Sequence, residues 1–218
     1  MLKSENWPLH AQLYKMNPHA FFLPSFLRAI RGNTIQSFSD IIHEPAPKVY
    51  TFPMFRPAFC EMLMNEVENF QNWAHREKQE INDPNNFHKP SRGTTISDIG
   101  MKGMLDDLMK KFISPISKVL FPEVGGRSLD SQHSYVVSYG GDDGGGRPGC
   151  SYDGYDNGLD IHVEDSHITL NVCLGKQFTH GQMLFVGSRC GTHVNSEAQP
   201  QIIICGLRTF PEWQALKE

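Results

Sequence analysis

The stretch GLDIHVEDSHITLNVCLGKQF, residues 158–178, begins with His162 and Glu164 two positions apart and runs into alternating apolar residues. Side chains alternate across a strand, so residues i and i+2 share a face. His162 and Glu164 then project together, either as two metal ligands or as two polar residues on the wet face of a strand. The apolar run HITLNVCLG behind them reads as a core strand, a rigid support of the kind a metal site needs. On a continuous strand His167, five positions after His162, faces the other way.

Before it, "SYVVSY" at 134–139 reads as a strand rich in β-branched and aromatic residues. The glycine-rich stretch 140–158 reads as a loop, followed by the strand above, a turn near His180-Gly181 and "MLFVG" at 183–187. Earlier segments have helical spacing. Phe59, Met62, Leu63, Val67, Phe70 and Trp73 predict a helix opened by Pro57. Met101, Met104, Leu105, Leu108, Met109 and Phe112 predict a second, and Ser114-Pro115 reads as the N-cap and first residue of a third. NPHAFFLPSFLRAI, at 17–30, predicts a short helix interrupted by Pro24, and HEPAPK, at 43–48, predicts an extended linker. Helices first and antiparallel-looking strands second indicate an α+β fold.

Composition narrows the function classes. The chain has 218 residues, enough for one domain with an appendage, and can bury a core without staples. A net charge of −4 argues against a broad nucleic-acid surface. No run of about 18 apolar residues predicts a membrane span, and MLKSENWPLHAQ lacks the apolar stretch of a secretion signal. The five cysteines, Cys60, Cys150, Cys173, Cys190 and Cys205, include no CxxC pair and predict a reducing, intracellular setting, cytoplasmic or nuclear. Cys173 reads as a small hydrophobe in a strand.

An imidazole and a carboxylate on one face can take two adjacent positions on a divalent metal. Two histidines and one carboxylate on one triangular face leave positions open for a chelating keto acid and O2, as in non-haem Fe(II) oxygenases. The blocks FISPISKVLFPEVGG, LDSQHSYVVSYG, IHVEDSHITLNVCLGKQF and HGQMLFVGSRCGTHVN, with the lead-in KVYTFPMFRPAFCEMLMNEVENF, carry a resemblance. Together they resemble a plant branch of the prolyl-4-hydroxylase-type 2-oxoglutarate- and Fe(II)-dependent oxygenases. The resemblance implies N-terminal helices packed on a double-stranded β-helix (jelly-roll) core, here incomplete. It divides the chain into an appendage and linker at 1–47, an oxygenase-like domain at 48–200 and a divergent tail at 201–218. It also implies Fe(II), 2-oxoglutarate and O2, ascorbate to keep iron reduced, and hydroxylation of an unidentified substrate with decarboxylation of 2-oxoglutarate to succinate. The family's first two iron ligands land on His162 and Glu164, and Tyr139 matches a tyrosine facing the co-substrate carboxylate.

The chain departs from that pattern in three ways. Glu164 stands where the family has aspartate, and its extra methylene shifts the ligand oxygen. The loop 140–158, longer than the family's connection, carries Asp142, Asp143, Asp153 and Asp156, with Asp160 just after it, in a spacing unlike a calcium loop. Similarity fades after Pro200, so the distal histidine and the cation for the far carboxylate are expected past the end of a truncated or divergent chain. His180, His193, Arg189 and Arg208 are replacements only by default. A catalytically inactive relative that acts by binding is the alternative.

Overall fold

The computed structural model describes residues 8–46, 48–78, 93–122, 129–137, 166–174 and 201–205, the last as backbone alone. The chain begins with a 3-10 turn, Ala11–Tyr14, and three short helices, α1 (Pro18–Phe21), α2 (Pro24–Gly32) and α3 (Ile35–Phe38). Prolines set these starts. Pro18 and Pro24 occupy first-turn positions, where the missing N–H costs nothing. Pro24 therefore ends one helical run by opening the next, and Phe22 and Leu23 between them are extended. Asn17 accepts from the Ala20 amide, and Thr34 with Ser37 forms a reciprocal capping box that starts α3.

Residues 43–46, read as linker, form an edge strand β1 (His43–Ala46) paired antiparallel with β2 (Val49–Phe52). An edge strand tolerates Pro45 because it needs only one side of the ladder. Lys48 turns the chain with a φ of 63°, and its amide donates to Glu44 Oε1 at 3.0 Å.

Helix α4 (Pro57–Arg76) begins at the expected proline and continues past Trp73. Phe59, Leu63, Val67 and Phe70 are buried as spacing predicts; Met62 and Trp73 are half-buried at the edge of the stripe, and Cys60 and Ala74 are buried with it. Beyond it lie β3 (Thr94–Thr95) and α5 (Lys102–Leu108), then a π-helical turn at Met109–Ile113 and α6 (Ser114–Leu120). These last three run on without a break, so Ser114 is not the free N-cap the sequence predicts: the residue before it, Ile113, is already helical. Pro115 cannot donate to the carbonyl four residues back and its ring crowds that carbonyl. The wider π turn just before it absorbs both effects. The reward is a continuous buried face through Leu108, Phe112, Ile113 and Ile116.

One apolar cluster joins these helices. The Phe22 ring lies 4.4 Å from Phe112, 5.3 Å from Phe26 and 5.4 Å from Phe55, and Phe21 lies 4.5 Å from Phe59. The same cluster includes Leu13 and Phe38, so residues before 47 share a core with α4 and the π turn.

The strands are mixed. β4 (Tyr135–Val136) pairs antiparallel with β3, a short realisation of the predicted strand at 134–139. β5 (Thr169–Cys173) and β6 (Gln201–Cys205) complete a four-stranded sheet in the order β1-β2-β6-β5. In it β6 runs parallel to both neighbours, with Val49 and Thr169 each opposite Gln201. The chain mixes helix and strand as predicted, but not in the predicted order: β1 and β2 precede α4, and β3 precedes α5 and α6. The described strands, however, form two small sheets and no closed barrel, with parallel pairs where a jelly roll is antiparallel. QIIIC, placed by sequence in a divergent tail, is an inner strand of the larger sheet.

Candidate functional site

β5 continues the chain from the histidine–glutamate pair. Ile168, Leu170, Val172 and Leu174 pack against the core, so Thr169 and Asn171 alternate onto the other face. The strand does not reach back to the pair. The backbone bends through 166–168, with the Ser166 and Thr169 hydroxyls 2.9 Å apart across the bend. Alternation is therefore interrupted before Thr169. The exposed His167 sits in the bend, and its face is not set by counting from His162 as a continuous strand requires. His162, Glu164 and Tyr139 lie outside the described residues, as do His180, His193, Arg189, Arg208 and the acidic loop 140–158. Among the described residues, no group of three histidine, cysteine, aspartate or glutamate side chains is placed to hold a metal ion. No helix among them is long and apolar enough to cross a membrane.

The polar centre that the described residues do build is Glu66. It lies midway along α4, on the buried stripe seven residues after Phe59, and is fully buried. Its carboxylate accepts from the Leu9 amide at 3.1 Å, the His10 amide at 2.6 Å and the Tyr14 hydroxyl at 2.8 Å. Three donors from the N-terminal segment thus satisfy a charge that would otherwise be costly to bury. Sequence reading did not single out Glu66. The signal was present, since a carboxylate falls within the α4 apolar stripe, but its partners are more than 50 residues away in the chain.

Two further groups surround the core. Arg56, just before α4, donates from its amide to Phe21 O at 2.8 Å and from Nε to Phe22 O at 2.9 Å, fixing the link between α1 and α2. Cys60 is buried on α4. Burial first, and the Cys173 thiol second, push its pKa up to about 11, so it behaves as an inert buried thiol.

Similarity to known proteins speaks to the function that this geometry leaves open. The OGFOD2-like domain family matches residues 2–126. Two Arabidopsis thaliana proteins named 2-oxoglutarate and iron-dependent oxygenase domain-containing protein, CP2 and ICU11, are 47% and 44% identical to the chain, each over 87% of it. A human protein named 2-oxoglutarate and iron-dependent oxygenase domain-containing protein 2 is 27% identical over 86% of the chain. The matches cover 44%, 44% and 51% of those three proteins, so the chain spans about half the length of the curated relatives it matches. With the family match running from the N-terminal segment through α6, the chain belongs to the OGFOD2-like family of 2-oxoglutarate- and iron-dependent oxygenases.

Proposed function

We propose that this chain is part of a 2-oxoglutarate- and Fe(II)-dependent dioxygenase of the prolyl-4-hydroxylase type, from the plant branch of its family, with a jelly-roll core completed beyond the described strands. Family membership carries the reading, and His162 with Glu164, close before β5, supplies two donors of the right chemistry. The chemistry bound iron would supply is hydroxylation of a substrate C–H bond, coupled to conversion of 2-oxoglutarate and O2 to succinate and CO2. The chain's own part is to hold the metal through His162 and Glu164 and to orient the co-substrate carboxylate through Tyr139. Ascorbate serves as reductant, and an intracellular setting, cytoplasmic or nuclear, fits the free thiols.

A second reading rests on one observation: glutamate replaces the family's aspartate at 164. A displaced ligand oxygen weakens the site, and the chain then acts by binding a partner. Anaerobic titration with Fe(II), with and without 2-oxoglutarate, separates the two. The enzyme reading predicts a saturable visible charge-transfer band that His162→Ala abolishes. A folded sample with no band, or a band unchanged in His162→Ala, refutes the assignment. Deleting 142–157 leaves iron affinity unchanged if that loop supplies no ligand, and a large loss would make it part of the site.

A further inference from the structure

β5 is tied down twice. Ile168, Leu170, Val172 and Leu174 pack against the apolar core, and the strand pairs in register with β6 from Thr169 opposite Gln201 onward. Thr169, the first residue of that ladder, is therefore a fixed point. The chain bends immediately before it, and the Ser166 and Thr169 hydroxyls meet across the bend at 2.9 Å. One side-chain bridge thus closes the segment 166–169, whose first residue lies two positions after Glu164 and four after His162. Two residues of chain reach about 7 Å at most, so the direction the backbone takes at Ser166 limits where Glu164 can stand. We propose that Ser166 and Thr169, bridged across the bend before β5, are positioning residues for the iron-binding pair His162 and Glu164. This role rests on the reading of that pair as iron ligands.

Neither hydroxyl has to touch the metal. Ligand distances at a metal tolerate only about 0.2 Å, so ligands are effective when their neighbours already hold them in place. The bridge takes up freedom of the bend before iron arrives. Less ordering is then left to do when His162 and Glu164 close on one ion. The bond is nevertheless modest, because Ser166 is exposed and Thr169 half-buried, so water competes for both hydroxyls. Its loss should weaken Fe(II) binding roughly two- to fivefold, the lower part of what one intramolecular hydrogen bond contributes.

The test is anaerobic Fe(II) titration of the full chain with 2-oxoglutarate present, read from the charge-transfer band, with circular dichroism reporting the folded fraction. Ser166→Ala and Thr169→Val should each weaken apparent Fe(II) affinity roughly two- to fivefold in a fully folded chain. The double variant should bind no more weakly than either single one, because the same bond is missing in all three. Ser166→Thr and Thr169→Ser, which keep a hydroxyl, should bind iron as the wild type does. Unchanged affinity in both single variants, or losses that add in the double, overturns the positioning role, while a wild-type band that His162→Ala abolishes leaves the iron site standing. A loss of affinity matched by a loss of folded chain marks a merely structural bond and overturns the role as well. No band in the folded wild type overturns the iron site and the positioning role together.

Discussion

Glu66 concentrates three long-range hydrogen bonds on one carboxylate, and its substitution tests how the N-terminal segment is held. In Glu66→Ala the Leu9 and His10 amides and the Tyr14 hydroxyl lose their acceptor together. Leaving buried groups unpaired costs about 1–3 kcal/mol each, less where water reaches them. We expect Glu66→Ala to lower stability by about 3 kcal/mol in urea denaturation, and Tyr14→Phe by about 1 kcal/mol. The double variant should lose less than the sum, because the Tyr14 bond is already gone. Ser117 makes the opposite case. It is fully buried in α6 and its hydroxyl has no hydrogen-bond partner. Ser117→Ala removes that unmatched oxygen at little loss of volume, and should stabilise by roughly 1 kcal/mol, seen as a higher midpoint. Cys60 adds a chemical prediction. With its pKa raised to about 11, it should resist maleimide at neutral pH while Cys173 reacts, and become modified only in denaturant.

At the scale of elements, the sequence is legible where one face of one segment carries the information. The α4 stripe and the Pro57 start are written locally, so periodicity finds them. The π turn is not written locally. It arises because Pro115 breaks the hydrogen-bond ladder while Phe112, Ile113 and Ile116 remain on the buried side, a compromise visible only when the core is present. Strand partners are less legible still. β5 reads as a strand from its own residues, but nothing in TLNVC says that its neighbour is QIIIC, or that the two run parallel. The pair at His162 and Glu164 is legible as chemistry and family pattern, whereas the bend at 166–168 cuts the alternation that would have placed His167 relative to it. Phe112 tests the compromise at the π turn. Its ring meets Phe22 at 4.4 Å and Phe26 at 6.3 Å, so it ties the turn to α2 and to the extended link before it. Phe112→Ala should cost about 3–5 kcal/mol, with amide exchange in α2 accelerating before that in α4.

For the whole molecule, the larger sheet draws its strands from distant parts of the chain. β2 comes from residues 49–52 and β6 from 201–205, and their pairing is parallel. Such contacts require long loops to close before they stabilise anything, which slows folding and makes the sheet depend on its inner strand. β6 occupies that inner position, between β2 and β5. Deleting residues 201–218 should therefore divide the sheet into the β1–β2 hairpin and a single strand. A two-stranded hairpin is marginal by itself, and newly exposed strand edges invite pairing with other chains. The described members of the apolar cluster lie mainly on the helices, so the cluster should survive the deletion. The expected result is nearly full helical circular dichroism, with faster limited proteolysis within 43–52 and 166–174 and concentration-dependent aggregation. Unchanged cleavage at both segments would show that β6 does not bridge them, and would remove the parallel ladder from the fold.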